Sequence, residues 1–509
     1  MLTRRRTFTQ SLPYAATGVL AALAGMATGH LVAGLLNPAS SPVLAVGSTV
    51  IDATPTALKE FAIERFGTND KLILLLSVGV VTVLLAAVAG ALSRRRPAVG
   101  IGLILALVVL AGAAAMSRPT ATLTDLLPAV STGIVGVLVL LGLRRALGRR
   151  PTPGPGVGAS RRSFLVGAAG VTAGAVVVGA LGQKLGSAAS DPSSVALPKP
   201  TDPGQTLPAG LEGKVTGISD FRTKTADFYR VDTNLVIPQI AKDSWRLEID
   251  GDVKTPFSLT FDELVAMPLI ERNITQTCVS NEVGGGYLGS ATWLGVRLTD
   301  ILDRAGVGSG ADQLLSTAVD GFTISTPLSA VRDGRDAMVV VGMNGQALPA
   351  VHGFPARLIT PGLYGYVGAT KWLTRLTLTT YAQKQAYWTE RKWATDAPIK
   401  TSARVDTPAP LSTIKAGMTA IGGVAWAQHR GVGTVEIQID GGPWQKTMLG
   451  PDAGVDYWRQ WYLPWNATSG SHTIAVRAVD LQGEVQTDVR AKPFPNGSSG
   501  IQQIVVLVA

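Results

Sequence analysis

Five apolar stretches, each about 18–25 residues long, occupy most of the first 186 positions of this 509-residue chain. They run over 12–36, 72–92, 98–116, 126–143 and 164–181. A stretch of that length with almost no charge can be solvated on every side only by lipid, so the spacing predicts five membrane-spanning helices. From residue 187 onward the composition is that of a soluble protein, and the chain is too long for one core.

Charge placement gives these spans a direction. The net charge of +10 is more than covered by twelve arginines at 4–6, 94–96, 144–145, 149–150 and 161–162. Alternating five spans puts every one of these clusters on the same side. The other side receives the 37–71 loop, where Lys59, Arg65 and Lys71 are offset by Asp52, Glu60, Glu64 and Asp70. The positive-inside rule then predicts a cytoplasmic N-terminus, a multi-pass protein of the cell membrane and an extracytoplasmic C-terminal region in contact with membrane lipids. The entry to the last span, Ser160-Arg161-Arg162-Ser163-Phe164-Leu165, resembles a twin-arginine export signal. No basic stripe interleaved with aromatics exists, so nucleic acid is not an expected partner.

Cysteine and histidine counts exclude several cofactors. One cysteine, Cys278, cannot build an internal disulfide, an iron–sulfur cluster, a four-cysteine zinc site or a covalent c-type haem. Of four histidines only His30 lies in an apolar stretch, so a bis-histidine haem between the helices has no support.

Residues 187–214, rich in Ser, Pro and Gly, read as an extended linker. Over 215–400 strand and helix signals mix, as in an α+β domain. "WRLEIDG" alternates as a strand, "TFDELVAM" reads as a short helix capped by Thr260, and "RLTDILDRAG" as an amphipathic helix stopped by Gly306. Over 401–509 the pattern becomes short alternating strands, including Val435, Ile437 and Ile439 before an Asp440-Gly441-Gly442 turn, and Ile474, Val476 and Ala478. This predicts an immunoglobulin-like β-sandwich, with Trp426, Trp444, Trp458, Trp461 and Trp465 supplying much of its packing.

Cys278 stands in "QTCVSNEVGGGYLGSATWLG". Three roles are open to it: inert core residue, reactive thiol, or metal ligand. Asn281 and Glu282 suit an apolar core poorly, and Gly284, Gly285 and Gly286 add no packing volume but allow close backbone approach to a bound group. A metal held by one thiolate would take its other ligands from a cofactor.

The segment "ITQTCVSNEVGGGYLGSATWLGVRLTDIL" resembles the metal-ligand segment of the sulfite oxidase family of molybdopterin enzymes. "VHGFPARLITPGLYGYVGATKWLTRLTL" and "GVAWAQHRGVGTVEIQIDGGPW" extend the resemblance over most of 215–509. It implies a mononuclear molybdenum–molybdopterin cofactor in the first soluble domain and an immunoglobulin-like second domain, often a homodimer interface. Cys278 would be the metal ligand. Tyr229, Arg230, Asp320, His352, Arg357, Ala369, Thr370 and Lys371 match cofactor-contacting positions, and an anionic phosphorylated pterin suits such Arg, Lys and backbone donors. The departures lie at the substrate. Where the family has a pair of arginines after its cysteine, this chain has Glu282 and Val283, and Trp393 stands where the family has an active-site tyrosine, with Arg391 nearby.

The expected activity is therefore two-electron oxygen-atom transfer on a small, sulfur-containing substrate by a membrane-anchored oxidoreductase. Electrons would pass to a separate cytochrome or quinone-linked partner, because the chain has no haem or cluster motif of its own. A reductase of methionine sulfoxide or other S-oxides, and a metal-free membrane-tethered binding protein, are the competing readings.

Overall fold

The computed structural model describes residues 2–55, 58, 61, 65–66, 70–118, 120–148, 159–188, 192–232 and 234–509. The chain divides into two units, Met1–Ser190 with Thr233–Gln239, and Asp191–Asp232 with Ile240–Ala509.

The first unit is helical. Four helical segments are long and apolar enough to cross a membrane: Ser11–Leu36, Lys71–Ser93, Pro97–Met116 and Leu123–Leu147. The fifth predicted span lies in a 30-residue helix, Ala159–Ala188, in which Leu165–Leu181 is apolar among the described residues. Small residues let the helices approach closely. A Cβ on Gly18 would lie 1.9 Å from the Ala86 carbonyl oxygen, and one on Gly90 would lie 2.2 Å from that of Tyr14. The 37–71 stretch is not all loop, since Pro42–Ala53 is a helix with Pro42 in its first turn. Lys59, Glu60, Glu64, Arg149 and Arg150 lie outside the described residues, as do the side chains of Arg4–Arg6, Asp70 and the Arg161–Arg162 pair. Residues 234–239, read from sequence as part of the α+β domain, cluster with this unit, where Lys71 Nζ donates to the Asn234 carbonyl at 2.7 Å.

The second unit opens with two sheets. Their strands are β1 (Arg246–Gly251), β2 (Phe257–Thr260), β3 (Leu269–Thr277), β4 (Leu288–Arg297), β5 (Gln313–Ala318), β6 (Thr323–Pro327), β7 (Met338–Met343), β8 (Gln346–Ala347), β9 (Arg357–Ile359) and β10 (Leu373–Thr379). One sheet has the order β2-β1-β10-β5-β6, and the other runs β3-β4-β7-β8 with β9 paired to β7. Leu247, Ile249, Leu314 and Leu376 of the first sheet and Val296, Val339, Val341 and Leu358 of the second share one core with Leu298, Ile301 and Leu302. Those last three come from the helix Leu298–Ala305, which ends at Gly306 in the left-handed region as predicted. The helix Phe261–Val265 carries the expected cap, in which the Thr260 hydroxyl and Glu263 carboxylate satisfy each other's backbone N–H groups.

The stretch read as linker is extended but not free. Thr201 N donates to the Leu269 carbonyl at 2.8 Å, Asp202 accepts from Arg272 and Arg297, and Val195 and Leu197 pack on the sheet core. Its prolines prevent helix, and its interspersed aliphatic side chains find apolar cover.

Two further sheets follow, built from β11 (Ser402–Thr407), β12 (Thr413–Ile414), β13 (Gly417–Trp426), β14 (Val432–Ile439), β15 (Gln445–Lys446), β16 (Met448–Leu449), β17 (Arg459–Ala467), β18 (Gly470–Asp480) and β19 (Gln502–Val508). Their orders are β11-β13-β17-β16 and β12-β19-β18-β14-β15, packed over a common core that includes Ile421, Trp461, Trp465, Val435, Ile437, Ile474, Val476 and Val506. Only two of the five expected tryptophans fill this core. Trp426 and Trp458 belong instead to a cluster with Val279 and Tyr364, and Trp444 lies under the Arg477 guanidinium at 4.2 Å.

Candidate active site

β3 and β4 pair antiparallel from Leu269↔Val296 to Thr277↔Leu288, and residues 278–287 form the loop between them. Cys278 is the first residue past the ladder, and its N–H donates to the Tyr287 carbonyl at 2.9 Å. Asn281 is not a free polar group. It is buried, its N–H donates to the Cys278 carbonyl at 3.0 Å, and its Oδ1 accepts from Tyr287 N at 2.8 Å, so it closes the loop.

Two of the three glycines pack closely within the protein itself. At Gly284, with φ +81°, a Cβ would lie 2.6 Å from Gln502 Nε2, and at Gly285 it would lie 2.7 Å from Asn281 Oδ1. Arg404 Nη1 donates to the Gly285 carbonyl at 2.7 Å. Gly284 and Gly285 therefore let the loop seat against β11 and β19, whereas a Cβ on Gly286 would meet nothing within 4 Å.

Cys278 is 9% exposed, and burial pushes its thiol above the ordinary value, opposed by hydrogen bonds from Ser280. Two phenols lie in its electrostatic neighbourhood. Burial raises Tyr364 to about 12, with a smaller contribution from the Cys278 charge. Tyr229 is half-buried as a residue, but its hydroxyl end is sunk in the protein and pushed up by that burial, then by Cys278.

A cluster of cations adjoins this region. Arg357, on β9, is 6% exposed; its Nη1 donates to the His352 carbonyl at 3.2 Å and its Nη2 to Gln276 Oε1 at 3.4 Å. Its guanidinium lies 5.3 Å from the Trp293 ring centre, and its Nε is buried without a partner. Burial lowers its pKa to about 10, and no carboxylate pairs with it among the described residues. Lys371 Nζ donates to Asp232 Oδ2 at 2.7 Å, and burial pulls it down to about 8 against the pull of that carboxylate. Arg230 Nε shares the same carboxylate at 2.8 Å. Arg230 and Lys371 thus share one buried acid while Arg357 has none, an excess of positive charge suited to an anion. His352 Nε2 lies 3.1 Å from the Thr225 carbonyl, which only accepts, so Nε2 carries the proton. Burial, reinforced by Arg357, Lys371 and Arg230, lowers His352 to about 4, so the ring is neutral and Nδ1 is an acceptor.

The remaining predicted positions divide. The Thr370 hydroxyl pairs with Ser316 at 2.5 Å and its carbonyl accepts from Leu358, so the 369–370 segment, with Ala369, contributes backbone that holds β9. Asp320 lies on the β5–β6 turn, where Val319 N donates to the Trp372 carbonyl one residue past Lys371, and its carboxylate accepts from Phe322 N. Glu282 is exposed. Arg391 lies flat on the Tyr387 ring at 3.5 Å and donates to the Tyr387 carbonyl at 2.8 Å, which engages it locally. Trp393 packs against the cluster of Val279, Leu288 and Tyr364. Asp232, Gln276, Thr360 and Tyr364 join the site without having been singled out. Asp232 stands inside "DFYRVDT", Thr360 and Tyr364 inside "ITPGLYGY", and Gln276 two residues before Cys278, but nothing in those strings marks them out from their neighbours.

Comparison with known proteins accords with this arrangement. The family described as "Oxidoreductase molybdopterin binding domain" matches residues 234–388. Human mitochondrial sulfite oxidase is 28% identical over 312 residues, covering 51% of this chain and 56% of that protein. NADH nitrate reductase 1 of Oryza sativa subsp. japonica is 25% identical over 314 residues, covering 50% of this chain and 33% of that protein. The sulfane dehydrogenase SoxCD of Paracoccus pantotrophus has the fold at TM-score 0.51 and 23% identity, covering 57% of this chain and 82% of that one. The chain spans about half the length of the curated relatives it matches. Fold, site and similarity define a molybdopterin-binding oxidoreductase domain. The chain is similar to sulfite oxidases over about half its length, and molybdenum–molybdopterin is the cofactor that goes with such a domain.

The residues present fit that group. Arg357 Nε and Thr360 Oγ1 are buried and unpartnered, as donors reserved for a ligand would be, and the surrounding charge is positive. Among the described residues no three His, Cys, Asp or Glu side chains gather to hold an ion. A metal at Cys278 would therefore take its other ligands from a cofactor.

Proposed function

We propose that the protein is a membrane-anchored molybdenum oxidoreductase that catalyses two-electron oxygen-atom transfer on a small, sulfur-containing substrate outside the cytoplasmic membrane. The observation that carries this reading is the buried lone thiol of Cys278 beside a cation cluster with unused donors. The bound cofactor supplies the redox chemistry, interconverting a substrate and its oxide with two electrons, two protons and one water.

The chain's own residues bind and orient. Cys278 gives up its proton and serves as the protein ligand, its position set by the Tyr287 and Asn281 hydrogen bonds. Arg357, Lys371 and Arg230 hold the anionic phosphate end, and His352 presents a neutral acceptor at Nδ1. Tyr364, which burial keeps protonated well above neutrality and which feels the Cys278 charge, is the candidate proton donor. Five apolar helices, with the run over 164–181 as the last, anchor the enzyme, and the arginine clusters set its N-terminus inside, so that an odd number of spans carries the cofactor domain outside. We assign 1–186 to the membrane, 215–400 to the cofactor domain and 401–509 to an immunoglobulin-like domain that pairs two copies. A cytochrome or quinone-linked protein exchanges the electrons.

Reduction of S-oxides is the second reading. It is favoured by Glu282 standing where the family places an arginine and by Arg391 lying engaged on Tyr387 rather than free to clamp an oxyanion. The test is Cys278→Ser in protein purified with a full cofactor supply. Activity should fall more than about 100-fold, beyond what supporting residues cost, with tryptophan emission unchanged. Full activity in that variant, or wild-type protein that carries no molybdenum, sinks the reading.

A further inference from the structure

Four segments distant in sequence converge beside the Cys278 loop, and each brings an aromatic ring or a fastening. Ser498 Oγ donates to the Asn281 carbonyl at 2.5 Å, tying the 493–498 loop to the residues just past the cysteine. Lys400 Nζ donates to Asn496 Oδ1 at 3.1 Å and to the Gly497 carbonyl at 2.6 Å. Tyr366 Oη donates to the Ala394 carbonyl at 2.9 Å, and Ala394 N donates to that of Pro495 at 3.1 Å. These bonds place Trp393 with its ring centre 5.5 Å from Tyr366, 5.8 Å from Trp388 and 5.3 Å from Phe494. Trp393 and Tyr366 both rest on the cluster of Val279 and Tyr364 that flanks Cys278. Phe494, at the outer end, is 48% exposed.

We propose that Tyr366, Trp388, Trp393 and Phe494 form a recognition wall at the rim of the site, selecting neutral organic S-oxides or thioethers with an apolar substituent over hydrated oxyanions. The proposal rests on the oxygen-transfer reading above. Ring faces carry negative potential and offer no strong donors to replace an oxyanion's water, whereas they cover methyl and aryl groups well. The nearby guanidinium of Arg391 is stacked on Tyr387 and bonded to its carbonyl, so it does not offset that preference. Phe494 makes the C-terminal β region a specificity element of a site whose metal ligand lies more than two hundred residues earlier.

The experiment uses the full-length, molybdenum-loaded protein in detergent. Binding of methyl phenyl sulfoxide and of sulfite is followed by tryptophan quenching without any electron donor. Turnover of methyl phenyl sulfoxide and dimethyl sulfoxide is followed with reduced methyl viologen, which supplies the two electrons that convert the sulfoxide and two protons to thioether and water. The aryl sulfoxide should bind more tightly than sulfite. In Phe494→Ala its affinity, and the aryl-over-dimethyl ratio of kcat/KM, should each fall on the order of tenfold, with Phe494→Tyr restoring both. Equal affinities in wild type and Phe494→Ala, or tighter binding of sulfite, overturns the wall. Phe494-dependent sulfoxide binding without turnover of any substrate upholds the wall and removes the oxygen-transfer reading. Sulfite oxidation with two equivalents of ferricyanide as electron acceptor and water as oxygen source, if indifferent to Phe494, does the reverse.

Discussion

Arg357 and His352 show how single residues define the site. A guanidinium buried without a carboxylate is costly, and the cost is recovered only when an anion arrives. The same charges, together with burial, keep His352 neutral down to about pH 4. Between pH 6.5 and 4 the unfolded chain therefore binds a proton at this imidazole that the folded chain does not. Stability of the cofactor-free protein should fall as pH drops through that window, by about 2–3 kcal/mol in all, and level off below it. Urea unfolding at pH 7 and pH 4.5 checks this, and His352→Gln should flatten the difference. Cys278 was legible in sequence because it has no rival, and Arg357 and Lys371 because they stand in motifs. Asp232 was not, since nothing in a linear string tells a carboxylate that two cations will share from one facing water.

At the scale of elements, hydrophobic period and capping chemistry were enough to place β1, the Thr260-capped helix and the helix ending at Gly306. All three are governed by neighbours within a few residues. The glycine run after Cys278 needed a partner about 220 residues away, Gln502 on β19, so its purpose was invisible until β19 was in place. Gly284→Val would set a branched side chain at φ +81° against that glutamine. We expect a loss of about 2–4 kcal/mol, with the Cys278 loop lifted from β19 and cofactor retention reduced. Chemical unfolding and molybdenum content measure the two effects separately. What the extended 195–214 stretch lies against was hidden for the same reason, since its partners are Leu269 and Asn273 of β3 and Gln460 of β17.

Across the whole molecule, the division between an apolar helical part and a soluble part was plain from composition. Of the five apolar runs in the sequence, four are long and apolar enough to cross a membrane among the described residues, and the last lies in the helix Ala159–Ala188. All ten tryptophans, from Trp245 to Trp465, belong to the second unit, so their emission reports that unit alone even in detergent. Stripping the cofactor should lower the fluorescence melting midpoint by about 5 °C if it binds at a hundredfold excess over its Kd. The order of biosynthesis follows from the bond between Ser498 and the Asn281 carbonyl. A nascent chain whose Ser498 has not yet emerged from the ribosome has no finished rim around its thiol, so the metal is sealed in only after that segment is out.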